Sequence, residues 1–149
     1  MPAVALIARR FLRLVGRPLV EGLDARANDA AVEAAMDAAP AVIVAHGTEA
    51  DPLFFYGNRA ALQLFEATQE QFTVMPSRLS AESMQREERA RLLARVREDG
   101  YIDDYSGVRI SLSGRRFRIA RAIVWNLVDD LGMRRGQAAT FSEWSDLPG

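Results

Sequence analysis

The 149-residue chain is sparing with the side chains that do chemistry: one histidine, no cysteine, and acids that pair only as neighbours. Lacking cysteine, it has no disulfide, thiolate metal site or cysteine nucleophile. His46 stands alone, so no multi-histidine metal site or histidine pair can form. It ends the apolar run AVIVAH (41–46) before Gly47-Thr48, where a structural or surface role is expected rather than a catalytic or metal-ligating one. Asp129-Asp130 falls in VDDLG and reads as turn chemistry. Asp103-Asp104 falls in an extended run, where neighbours point to opposite faces and cannot converge on one proton. No phosphate loop or glycine-rich dinucleotide fingerprint occurs. The expectation is a chain with no catalytic residues and no metal site, and not an enzyme.

The more informative positions are arginines and aromatics at strand spacing. Phe117, Ile119, Ile123 and Trp125 alternate, which puts them on one face of a strand, and Arg121 belongs to the same face. That face is expected to be the concave core. Tyr105 and Arg109 share a face of the strand before it, with Gly107 between them. Burying a guanidinium unpaired is costly, so Arg109 and Arg121 should either pair with Asp103, Asp104 or Glu143, or meet a ligand anion. Tyr105 and Trp125 either line a pocket or fill the core. Arg115, Arg116, Arg118, Arg134 and Arg135 make the hairpins basic, but few aromatics interleave and the net charge is -1 with pI near 5.9. A solvated face or protein contact is therefore expected there, not nucleic acid.

These residues need elements to position them. The length fits one domain, and 49% hydrophobic content is ample for a core. Residues 3–16 set Val4, Ile7, Ala8, Phe11, Leu14 and Val15 at helical spacing, and Gly16 and Pro18 stop the run. This helix packs either on its own domain or on a second copy. ARRFLRL (8–14) faintly resembles an export signal, but Arg17, Glu21, Asp24 and Arg26 follow instead of an apolar stretch. No segment approaches the roughly 20 apolar residues of a membrane span; a soluble, cytoplasmic protein with no membrane contact is expected.

Asn28 or Asp29 can cap a helix to about residue 38. AVIVAH and LFFY then form a hairpin over 41–56. In PLFFYGNRAALQLF the period changes from strand to helix at Asn58, whose side chain can cap the next turn. Thr68 and Gln71 form a capping box ahead of Phe72 and Met75. The longest helix runs from Met84 and ends at Gly100. Three long strands joined by tight turns close the chain.

This order resembles the PAS domain, a five-stranded antiparallel sheet folded around a small cavity roofed by helices. FFYGNRAALQLFEATQEQFTVMP, YSGVRISLSGRRFRI and DDLGMRRGQAATF resemble its blocks. YGNRAAL, PSRLSAE, REERARLLARV, GYIDDYSGVRIS, GRRFRI, VWNL and GQAATF are together similar to the MEKHLA domain family, over roughly residues 30–145. The hexapeptide that names the family is not in this sequence. Free-standing bacterial members are about this size, and plant members end homeodomain–leucine zipper regulators.

The resemblance implies an α+β fold with helices on one sheet face, an N-terminal helix and linker over 1–27, and the PAS-like domain over 28–149. It implies a non-catalytic sensory module that binds a small organic molecule between sheet and helices. The expected ligand-binding residues are Tyr56, Asn58, Phe65, Phe72, Met75, Tyr105, Arg109, Arg121, Ile123 and Trp125. Signalling would pass through a partner protein or a homodimer formed by the N-terminal helix. A ligand-free interaction domain, or a small α+β-barrel enzyme, are the alternatives. No cofactor is identified: haem-binding PAS domains take a histidine from the long helix, which has none here, and the flavin adduct needs a cysteine.

Overall fold

The computed structural model describes residues 3–81 and 86–148. Helix α1 (Ala5–Val15) forms where the apolar residues recur at helical spacing, and Gly16 ends it in the left-handed conformation, φ 86°. Its buried residues, Ala5, Ile7, Ala8 and Phe11, form one stripe. The arginines lie off that stripe. Helix α2 (Asp29–Ala38) is capped by Asn28, whose side chain accepts from Ala31 N.

Strand β1 (Val42–His46) pairs antiparallel with β2 (Phe54–Gly57). At Asn58 the chain turns into α3 (Arg59–Phe65), then α4 (Gln69–Phe72) with its Thr68–Gln71 capping box. A 3-10 turn (Ser77–Ser80) follows, then α5 (Arg86–Asp99). Met84 and Gln85, which the sequence places at the start of α5, lie outside the described residues. Strands β3 (Tyr101–Ile110), β4 (Arg116–Val128), β5 (Arg134–Phe141) and β6 (Glu143–Asp146) complete the chain.

The sheet order is β2-β1-β5-β4-β3, wholly antiparallel, with β6 paired to the first part of β4. The expected five strands are present. The sixth arises because the closing strand breaks at Ser142. Residues 134–141 pair with β1 and with Ile123–Val128 of β4, whereas 143–146 pair with Phe117–Ala120.

Side chains bury on both sheet faces, giving two cores. The inner core sits between the sheet and α3–α5 and includes Val42, Val44, Phe54, Phe65, Phe72, Phe117, Ile119, Val124 and Phe141. The outer core sits under α1 and α2 and includes Ile43, Ala45, Ile123, Trp125, Leu127 and Ala138. The helices are thus shared between two faces rather than gathered on one. The apolar stripe of α1 is spent on its own sheet: Phe11 meets Trp125 edge-on at 4.9 Å, and Trp125 Nε1 donates to Ile7 O at 3.1 Å. Of the two placements the sequence allows for this helix, the structure has the packing on its own domain.

The two cores correct the parity reading of β4. Phe117 and Ile119 face inward as expected, but Ile123 and Trp125 face outward. The cause is a bulge. Tyr105 pairs with Ala122 and Gly107 with Ile119, so two steps on β3 span three on β4. Arg121, at φ 55°, is in the left-handed region within that extra step. One inserted residue flips every later side chain.

At the other end of the sheet, Gly136 (φ 150°) lets β5 lie directly against the His46 carbonyl, where a Cβ would collide with it.

Candidate functional site

The inner face between the sheet and α3–α5 has two ends of different chemistry. One end is aromatic and full. Phe54 and Phe72 stack at 4.3 Å; Phe65 lies 5.8 Å from Phe72 and 5.5 Å, edge-on, from Phe117. All four rings are buried. Phe72 is the one buried side chain of four-residue α4. It fits because Gly57 opposite it has no side chain: a Cβ there would stand 2.7 Å from the ring.

The other end is polar. Register aligns His46 of β1 with Gln137 of β5, and Gln137 with Asn126 of β4. Alternation from the inward Val44, Ala139 and Val124 turns all three inward. Asn126 Nδ2 donates to Val96 O of α5 at 3.3 Å, which ties the row to the helix above it. His46 Nδ1 lies 3.0 Å from Gly47 O. Burial holds its pKa below the usual histidine value of 6.5, with smaller contributions from Arg134 and Arg109 in the same direction and opposition from the Gly47 contact. The ring is therefore neutral at pH 7.

Tyr105 and Arg109 lie on β3, and the register sets Arg109 beside Phe117 of the aromatic cluster. Tyr105 pairs across from Ala122 and Arg109 from Phe117, both inward positions. The Arg109 guanidinium lies over the Tyr105 ring, 5.8 Å from its centre. No carboxylate pairs with Arg109 among the described residues. Its strand neighbour Tyr105 is buried while Arg109 itself is half-exposed, so the guanidinium sits at the rim.

The ten residues expected to bind ligand do not come together as one wall. Phe65, Phe72 and Tyr105 are in the inner core, and Met75 packs against it. Arg109 is at its rim. Tyr56, Ile123 and Trp125 belong to the outer core. The Tyr56 hydroxyl is buried there without a hydrogen-bond partner among the described residues, and burial, aided by Asp37 and Glu33 of α2, raises its pKa. Arg121 is exposed and lies 3.9 Å from Glu143, one of the acids the sequence offered it.

Asn58 is wholly buried, and every hydrogen-bonding position of its amide is used internally. Oδ1 accepts from Ile43 N and Ala61 N at 3.0 Å each. Nδ2 donates to Met36 O at 3.0 Å and Ala41 O at 2.9 Å. It caps α3 and clamps β1 and α2; nothing remains for a guest.

His46, Gln137 and Asn126 were not singled out from sequence as a set. His46 at i+2 from Val44 was a readable inward signal, but its alignment with the other two depends on long-range register. The acidic turn behaves as expected: Asp129 Oδ1 accepts from Leu131 N and Met133 N at 2.9 Å, and Oδ2 from Arg135 Nε at 2.7 Å. An open cleft of about 520 Å³ between this turn, Gly47–Glu49 and the start of α1 lies away from the inner face. Among the described residues, no group of three or more His, Asp or Glu side chains could hold a metal ion. No helix among the described residues is long and apolar enough to cross a membrane.

The antiparallel sheet with a helical roof over its inner face defines the PAS-like fold. The chain superposes on the PAS domain of a protein from Colwellia psychrerythraea with TM-score 0.61, at 14% identity, over 77% of this chain and 92% of that one. It matches an RNA-binding Light-Oxygen-Voltage receptor with TM-score 0.65 at 16% identity, over 87% of this chain and 36% of that one. Within that fold the chain belongs to the MEKHLA domain family, which matches residues 2–146. The homeobox-leucine zipper protein ATHB-9 of Arabidopsis thaliana is 28% identical over 98 residues, 66% of this chain but only 12% of that protein.

Proposed function

We propose that this chain is a non-catalytic sensory module, working in the cytoplasm. It takes a small organic molecule between the sheet and α3–α5, and a partner protein or second copy reads the occupancy. The observation that carries this reading is the polar end of the inner face. A core built only for stability has no need to turn His46, Gln137 and Asn126 inward on three adjacent strands. Nor does it need Arg109 on an inward position with no carboxylate against it among the described residues. Convergent polar groups beside an apolar wall are what ligand sites use to fix orientation. The helix above them, α5, contributes Val96 as its one fully buried side chain among those described, so the roof is light. The two aspartate pairs do not serve acid–base work: Asp129 is committed to its turn, and Asp103 and Asp104 are exposed.

Native mass spectrometry of freshly purified protein tests the reading. A bound mass lost on denaturation supports it. A bare polypeptide mass, with no change in melting temperature across a metabolite library, overturns it. The four rings filling the aromatic end favour a second reading, a ligand-free interaction domain, which that negative result would leave standing.

A further inference from the structure

Helix α5 roofs the inner face of the sheet and α1 lies on the outer face. The turn at Gly100, where α5 passes into β3, touches both. We propose that this turn couples the two helices. Opening of the last turn of α5 unseats the end of α1 through the contact between Gly100 and Leu14, and release of α1 loosens α5 in return.

On the roof side, the turn is tied to β4. Val96 O, in the last turn of α5, accepts from Gly100 N at 3.0 Å and from Asn126 Nδ2 at 3.3 Å. Gly100 O accepts from Asn126 N at 3.1 Å. Asn126 thus holds the end of α5 through side chain and main chain together. Val96 is the buried apolar residue of that turn. Gly100, at φ 83°, supplies the left-handed conformation that ends the helix.

On the outer side, the same turn is a seat for α1. Leu14 lies so close over Gly100 that a Cβ there would stand 2.7 Å from Leu14 Cδ2. The absence of a side chain at position 100 therefore serves the turn and the approach of α1 at once. The next residue, Tyr101, packs with Leu14 against the outer core and pairs across strands with Trp125. Helix α1 is thus held at two places. Its first half rests on Trp125, whose Nε1 donates to Ile7 O, and Trp125 belongs to β4, flanked by β5 and β3 within the sheet. Its last turn rests on Gly100, which moves when α5 moves. Leu12, two residues earlier, faces away from this seat, toward Pro18, Leu19 and Val32. The contact is present in the empty chain, so the coupling does not depend on a guest. It gives a shift of the roof a route to the opposite face of the sheet.

Amide hydrogen exchange on the intact chain, with no guest added, tests the coupling. Leu14→Ala and Leu12→Ala remove the same side chain from half-buried positions of one helix. L14A should speed exchange of amides 97–101 roughly tenfold or more beyond the effect of L12A. Coupling between two sites is reciprocal, so N126A should speed exchange of amides 13–16 more than that of amides 9 and 10. In the double variant L14A/N126A that increment at the end of α1 should vanish, because the contact that carries it is gone. Matching circular dichroism shows that the variants fold. If L14A does not, Leu14→Val against Leu12→Val makes the same comparison. Equal exchange at 97–101 in L14A and L12A overturns the coupling. So does an N126A effect on the end of α1 that survives the loss of Leu14, which would place the transmission in β4 and Trp125. Either failure leaves the ligand-binding reading standing, since that reading turns on a bound mass.

Discussion

An asparagine side chain has two donor and two acceptor positions, and in Asn58 all four are filled by main chain from three elements. Asn58→Ala would leave Ile43 N, Ala61 N, Met36 O and Ala41 O without partners in a site closed to water. Each such group costs about 1–3 kcal/mol, and some will find substitutes, so a loss of about 3–5 kcal/mol is expected from urea denaturation. A loss below about 1 kcal/mol would mean the clamp is not where the stability lies. The sequence showed the cap but not the clamp, because the cap is local and the other partners are 15 to 22 residues away. His46 makes a second prediction at this scale. Its folded pKa lies below its ordinary 6.5, so between the two values the unfolded chain binds more protons than the folded one. Stability from this group is complete above pH 6.5 and is lost as pH falls through and below that value. The carboxylates with resolved shifts, Glu49, Glu66 and Asp129, are all held low and act in a more acidic window. The melting temperature should therefore fall between pH 7 and pH 5 in the wild type and fall less in His46→Gln. Parallel curves would show that the imidazole is not responsible.

At the scale of elements, β4 is where the sequence misleads. Alternation from Phe117 to Trp125 is unbroken on paper, and nothing in RFRIARAIVWNL marks an inserted residue. Bulges usually advertise themselves with glycine at positive φ; here the residue is Arg121. What forces it is the partner change: β4 leaves β6 after Ala120 and joins β5 at Ile123, and the extra residue absorbs the offset. The consequence reaches the site, since it sends Ile123 and Trp125 to α1 and leaves Ala122 and Val124 facing the roof. The same backbone makes a controlled comparison. Valine suits an exposed strand position but not a left-handed one. Arg118→Val should be close to neutral, whereas Arg121→Val should cost about 1–3 kcal/mol. Loss of the Arg121–Glu143 contact adds little, because both groups are exposed. Equal effects at the two positions in chemical denaturation would remove the strain at Arg121 from the account.

For the whole molecule, element order and type were legible because each helix and hairpin carries its own local signals: the caps at Asn28, Asn58 and Thr68, the stop at Gly16, the tight turns. Which face each strand buries was legible only as far as the bulge, and the polar row not at all, since it exists only once three strands are in register. The two cores now imply an uneven distribution of stability. The outer one binds α1 and α2 to the sheet through Trp125, Phe11, Met36 and Ile43, all nearly inaccessible to water. The inner one is anchored by α3 and α4 through Ala61, Leu64, Phe65 and Phe72. Fourteen-residue α5 is held chiefly by Val96 and the partly buried Leu92, with Leu93 exposed. A helix with so little apolar burial opens at a small fraction of the global free energy. Amide hydrogen exchange should accordingly be fast across the α5 amides and slow in β1, β4 and β5, with α1 protected almost as well as the sheet. A molecule that settles against the row of His46, Gln137 and Asn126, which Asn126 ties to Val96 O, lies beneath α5, so it should slow exchange there before it changes α1. If α5 is protected as strongly as the sheet without any guest, the roof is not the movable part, and occupancy would have to be read elsewhere on the surface.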